Sequence, residues 1–417
     1  MNRLLGGKVF SFILFGLTAI FNRGTLLLLL PISALSLSIS DVGLLSVLII
    51  GSQLLIPIVT LNASSIIGRE FYDNRSDVDK LVNLVNITLF SFSVLAVVLL
   101  AFDVLVGAFA FLVILECLFL INATFVRFRD GPIRFFIGNL IKFLMVFLFG
   151  SLLWALDSSW LEYVESYLFL IVASNAFSVI YFGVSFNHVA CNDWREFFGA
   201  KKHYFIFSLG LIPHIISQWA ISGFDRIYIG DKHGESILGL YSLGYSLSSM
   251  MMFYVSALAI GLPFFCVKDY KLYCKESNEN YIILIASTLC FFLILILDWV
   301  VPHFYHHLDY QTVLDIVYIL VPSFVCLSVY HYHAADLFFN KDVGTISKIT
   351  FSIAALNVIF VVVLSELEDV SLVAFATLMS YILYMIVSAY FSSRTFRVWK
   401  YGLVSIFTVI PALIRLY

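Results

Sequence analysis

Apolar runs of about twenty residues recur along the chain, broken by short clusters of charged and turn-forming residues, and each run is long enough to cross a hydrocarbon core of ~30 Å as a helix. Dividing at those clusters predicts twelve spanning helices: 9–35, 42–67, 81–102, 104–126, 134–156, 163–186, 204–229, 237–265, 280–301, 311–338, 346–364 and 370–391. A last apolar segment, 401–414, is short and contains Pro411, which fits either a thirteenth span or an interfacial hairpin arm. Runs such as Leu26 to Leu30 and Phe291 to Leu297 do not alternate, which excludes a transmembrane barrel. The pattern is that of an all-α polytopic membrane protein.

Composition agrees, since 61% of residues are hydrophobic and 12% charged, where a soluble domain has about 25% charged. The loops between spans leave no room for a soluble catalytic domain, so the protein is expected to act within the membrane and not as an enzyme. A net charge of −3 says little about partners, and no nucleic-acid partner is expected. Six cysteines show no CxxC or other ligand spacing, so neither a disulfide framework nor a metal site is expected, nor any cofactor. The first run follows Arg3 and Lys8, is far longer than a signal-peptide core, and contains Arg23, which reads as a retained first helix.

Lys and Arg set the orientation, because cytoplasmic loops hold an excess of both. With the N-terminus inside, 19 of the 24 fall on the cytoplasmic side, in clusters such as Arg127, Arg129 and Arg134 or Lys268, Lys271 and Lys275. The opposite loops 36–41, 157–162, 302–310 and 365–369 contain none. Orientation explains basic loops such as "RFRDGP" (127–132), although inner-leaflet headgroups would also be attracted there.

Six helices returning to the cytoplasm, then six more in the same orientation, is the pattern of parallel repeats. Asn22 precedes Gly43 by the same interval as Gln218 precedes Gly239, each glycine starting the second helix of its half. The expected division is 1–186 and 204–391 as two six-helix bundles, 187–203 as a cytoplasmic linker, and 392–417 as a C-terminal tail.

At these residues the chain resembles a known family. The stretch from Pro213 to Phe265, with Asp225-Arg226, the Gly239-Leu240-Tyr241 turn and Pro263, is similar to the start of the second half of Wzx-type polysaccharide flippases. The stretch "NRGTLLLLLPISALSLSISDVGLLSVL" (22–48) resembles their opening helix pair. The resemblance implies the fold of the multidrug/oligosaccharidyl-lipid/polysaccharide exporter superfamily, with the two bundles around a central cavity. The implied substrate is an undecaprenyl-pyrophosphate-linked oligosaccharide, moved across a bacterial inner membrane for O-antigen or capsule assembly by alternating access. It further implies a polysaccharide polymerase as a pathway neighbour. The family lines its cavity with cations, whereas basic residues deep in these spans are few.

A charge at the centre of a span costs about 2.5–3.5 kcal/mol on insertion scales, so it should face protein or a water-filled cavity. Arg23, beside Asn22 in the first span, has a planar fork that matches a pyrophosphate, or it pairs with a carboxylate of a neighbouring helix. In the seventh span His214, Gln218, Ser222 and Asp225 form one polar stripe, either a hydrated wall for sugar hydroxyls or a hydrogen-bonded seam, with Arg226 beside it. Lys142 is a second candidate cation for pyrophosphate, or it snorkels to the inner interface. Glu116 suits coupling to a proton or sodium gradient, or it is a counter-ion for Arg23 or Lys142. His333 and Asp336 near the inner end of the tenth span are candidates for ion coupling and pH-dependent gating, or form a polar helix end.

Two other functions compete. A multidrug exporter of the same superfamily would favour carboxylates over arginine in its cavity. A membrane polymerase or ligase generally needs a sizeable outer loop, which is lacking here. No nucleotide-binding P-loop is present.

Overall fold

The computed structural model describes residues 14–416 except 15, 19, 23, 26–27, 156–158, 185–190, 269, 341–342, 368 and 393–396. The described chain is helical from its first span onward. After the first span come α1 (Ile39–Val59), α2 (Ala63–Glu70), α3 (Arg75–Phe102), α4 (Val104–Arg129), α5 (Pro132–Ala155), α6 (Val164–Phe182) and α7 (Cys191–Ala200). Then follow α8 (Lys202–His233), α9 (Glu235–Ser248), α10 (Met252–Lys268), α11 (Glu276–Phe304), α12 (Tyr310–Phe339), α13 (Val343–Leu364), α14 (Ala374–Phe391) and α15 (Val398–Leu416). Among the described residues, ten helices are long and apolar enough to cross a membrane.

Two predicted spans are broken. The second, expected at 42–67, becomes α1 and α2. Pro57 removes a backbone donor inside α1, and Leu61 and Asn62 then adopt left-handed conformations at φ 49° and 51°. The Asn62 amide donates to the carbonyl of Ser208 at 3.2 Å and holds this corner. The eighth, expected at 237–265, is interrupted by a 3₁₀ turn at Ser249–Met251. Ser248 and Ser249 there donate to the carbonyls of Gly244 and Ser246 at 2.7 and 2.8 Å, a side-chain competition that bends helices. The segment 401–414 lies within α15, a continuous helix packed on α12.

The chain packs as two compact units, Met1–Thr25 with Leu48–Ile216, and Leu26–Val47 with Ser217–Tyr417. In the first, α4 is the central helix, packed by α3, α5, α6 and α2. Its Asp103 N-cap accepts from the Val106 N–H at 3.0 Å. Phenylalanine, valine and leucine side chains of α3 from Phe90 to Val98 point largely outward, the apolar surface a helix presents to lipid.

In the second unit α12 takes the central place, with α9, α10, α11, α14 and α15 around it. From Val313 to Leu337 it is buried on nearly every face, which its near-continuous apolar sequence permits. Its serines cost little there because Ser323 and Ser328 donate to their own helix carbonyls at 2.6 and 2.8 Å.

Candidate functional site

Three polar clusters lie inside these apolar units. In the first unit, α4, α5 and α6 bring Glu116, Lys142 and Asn175 together. Lys142 Nζ donates to both carboxylate oxygens of Glu116, at 2.9 and 3.1 Å, and Asn175 Nδ2 donates to Oε1 at 2.8 Å. The Phe119 ring lies 4.2 Å from the same ammonium. The Lys142 side chain is only 1% exposed, so snorkelling to the interface does not describe it. Of the two sequence readings of Glu116, the counter-ion to Lys142 is the arrangement observed. Asn175 Oδ1 and Asn139 Oδ1 remain buried without a hydrogen-bond partner among the described residues.

In the second unit, α8 and α9 build a cluster around Asp225 and Arg226, both buried. Among the described residues no ion pair joins the two side chains, and their hydrogen-bond partners differ. Asp225 accepts the Tyr241 O–H at 2.7 Å and the Arg226 backbone N–H at 2.8 Å. The Arg226 guanidinium lies 3.8 Å over the Tyr245 ring, and its Nη2 donates to the Ser222 carbonyl at 3.3 Å. Its Nε has no partner among the described residues. A guanidinium held this way keeps donors available in a low-dielectric setting, where an anion would bind strongly.

The rest of the α8 stripe is mixed. Gln218 is exposed and His214 half-buried, with its Nδ1 unsatisfied among the described residues. The Ser222 hydroxyl donates to the carbonyls of Gln218 and Trp219, at 3.1 and 3.2 Å, so its proton is spent on its own helix. Asn22 is exposed, and Arg23 lies outside the described residues.

A third cluster joins α11, α12 and α15. Glu279 pairs with Lys400 at 3.0 Å and approaches His333 Nε2 at 3.4 Å. The fully buried His333 ring also contacts Ser392 Oγ and Tyr401 OH, each at 3.1 Å. Asp336, one helical turn on, takes a different partner, the Tyr270 O–H at 2.6 Å. The far end of α15 is fastened by Arg415, which pairs with Asp315 at 2.9 Å and with Gln311.

Sequence reasoning passed over Asn175, Tyr245, Glu279 and Lys400. The signal for Asn175 was an amide within an apolar run. Glu279 and Lys400 stood in predicted loops, where a charge draws no attention. Among the described residues no group of three His, Cys, Asp or Glu side chains is placed to hold a metal ion.

No family model matches the chain, and no curated protein matches it significantly. Solved structures do. The lipid II flippase MurJ in its inward closed conformation superposes with a TM-score of 0.62 at 12% identity, over 96% of this chain and 92% of that one. An inward-facing multidrug resistance MATE family transporter of the MOP superfamily gives 0.57 at 11% identity, over 97% and 95%. A eukaryotic MATE transporter gives 0.52 at 11% identity, over 100% and 99%. The chain therefore has the all-helical, polytopic fold of these transporters from end to end.

Proposed function

We propose that the protein is a membrane flippase that carries a lipid-linked oligosaccharide across the bacterial inner membrane by alternating access. The observation that carries this reading is the full-length likeness in fold to a lipid II flippase. In this reading Arg226, buried in the second unit, is a cation for the pyrophosphate and Gln218 a hydrogen-bonding group for sugars, while Asn22, Arg23 and His214 stand as candidates from the sequence. Undecaprenyl-pyrophosphate is the carrier that the sequence resemblance implies, and O-antigen or capsule the product. The N-terminus faces the cytoplasm in this arrangement, by the distribution of lysine and arginine.

A multidrug exporter is the second reading, supported by the fold likeness to MATE transporters. Such a role would use an uncompensated interior carboxylate to attract cationic compounds. Glu116 is instead compensated by Lys142, and Asp225 by Tyr241 and a backbone N–H, which favours the flippase. Glu116, His333 and Asp336 are the candidates from the sequence for coupling to a proton or sodium gradient.

Deleting the gene in its host tests the proposal. Loss of surface polysaccharide, with single lipid-linked repeat units trapped on the cytoplasmic leaflet, is the expected result. Single units that reach the surface and are never polymerised would mark the protein as a polymerase, and an unchanged surface with altered drug sensitivity would mark it as an exporter.

A further inference from the structure

The first unit contains a cavity of about 320 Å³ in the groove between α3 and α4, closed on one side by the end of α6. On α3, Arg75, Asp79, Asn83 and Asn86 share one helix face and line it. On the adjoining α4, Asn122, Phe125 and Arg129 line it at one-turn spacing. The floor is apolar in its surroundings and polar in its chemistry. Asn86 and Asn122, 0% and 4% exposed, exchange amide hydrogen bonds at 3.1 and 2.9 Å.

The mouth holds two guanidiniums. Arg75 is exposed at the start of α3, 5.5 Å from the Phe71 ring. Arg129 is fixed in place by Asp130, which accepts from its Nε and Nη2 at 2.9 and 2.8 Å, and by the Phe125 ring at 4.9 Å. Those Arg129 hydrogen bonds hold the Asp130 carboxyl below its ordinary range, so the clamp is ionised at neutral pH. Among the described residues the hydrogen bonds of the Arg129 guanidinium run from Nε and Nη2 to Asp130, and not from Nη1. The Asp79 carboxylate, in the same lining, supplies an acceptor for hydroxyl or ammonium protons.

The position of the slot narrows the ligand. Both helices are long and apolar enough to cross a membrane, and the slot lies toward their Arg75 and Arg129 ends, the depth at which a phospholipid headgroup sits. We propose that this slot binds the phosphodiester headgroup of a membrane phospholipid. The phosphate is held between Arg75 and Arg129, and the head's hydroxyl or ammonium donors meet Asp79 and the Asn83 amide. Bidentate-capable guanidiniums suit a phosphate, and a carboxylate with an amide suits a donor-bearing head over a trimethylated one. The site is separate from the interior clusters and does not depend on what the protein transports.

The test uses the full-length protein purified in detergent and native mass spectrometry with added phosphatidylglycerol, phosphatidylethanolamine or phosphatidylcholine. One donor-bearing lipid per chain is expected to bind at least about tenfold more tightly than phosphatidylcholine. The double variant Arg75→Gln/Arg129→Gln is expected to lose that preference, and so is Asn83→Trp, which fills the slot and leaves both arginines in place. If the double variant fails to fold, Asn83→Trp alone decides. An unchanged preference in Asn83→Trp, or no preference in the wild type, overturns the proposal. Equal binding of glycerol phosphate or inorganic phosphate assigns the slot to a free phosphate and overturns the lipid as its source.

Discussion

Ser46 and Ser242 stand 196 positions apart in the chain and share a hydrogen bond of 2.7 Å. Ser40 and Ser236 repeat the relation at the same interval and the same distance. Between them, Gly43 faces the backbone of Glu235, while Gly239 faces that of Ile39. Residue i meets the counterpart of j and j the counterpart of i, the signature of a local two-fold between the start of α1 and α9. The equal spacing of Asn22 to Gly43 and Gln218 to Gly239 marked these same glycines in the sequence.

That crossing depends on the missing side chains. A Cβ on Gly239 would lie 1.9 Å from the Ile39 carbonyl oxygen, and one on Gly43 would lie 2.4 Å from that of Glu235. Both obstacles are backbone, so the helices themselves must separate. Gly239→Ala is expected to destabilise the protein by about 1–3 kcal/mol, the usual range for overpacking. Gly150→Ala, where nothing lies within 4 Å, serves as the control and should be neutral or better. Thermal unfolding in detergent measures both, and equal midpoints would remove the close crossing from the account.

The Glu116–Lys142 pair predicts a pattern across three variants. Lys142→Met leaves a buried carboxylate and Glu116→Gln a buried ammonium, and each should cost about 3–5 kcal/mol. The double variant should recover most of that loss, because no uncompensated charge remains. Unfolding midpoints of the three, with transport in the double variant, separate a packing pair from a coupling site. Restored stability with normal transport would confine the pair to structure.

Tyr241 carries a prediction of its own. Tyr241→Phe removes the hydroxyl that donates to Asp225 and nothing else, which should destabilise by about 1–3 kcal/mol. Asp225→Asn in the Tyr241→Phe background should then add little, since the two changes act on one hydrogen bond. A double-mutant cycle with additive losses would show that the contact contributes nothing.

How much of this was legible in the sequence depended on distance along the chain. Apolar runs declare a span locally, so the helices read out well. The two broken spans did not, because Leu61 and Asn62 in left-handed conformations and a 3₁₀ turn at Ser249 leave hydropathy unchanged. In-span charges were visible as exceptions, yet their partners were not. Lys142 and Glu116 lie on different helices, and no periodicity links them. Lys400 counted as a loop cation, yet α15 buries it against Glu279.

The C-terminal helix gives a further test. Glu279→Gln removes the partner of Lys400 and the carboxylate beside His333 while leaving Arg415–Asp315 intact. The start of α15 should loosen before its end does. Hydrogen exchange should rise at Tyr401 and its neighbours and stay unchanged near Arg415. Uniform exchange along α15 would show that the cluster does not hold the helix.

The most direct measurement is translocation by the purified protein in liposomes, using a short-chain lipid-pyrophosphate oligosaccharide whose sugar is accessible to an added enzyme only from outside. Wild type should move substrate between leaflets faster than empty liposomes, and Arg226→Gln, still folded, should slow it at least about tenfold, as expected for loss of a charged hydrogen bond. Equal rates in protein-containing and empty liposomes, or full activity in the variant alongside drug-driven transport, would contradict the flippase.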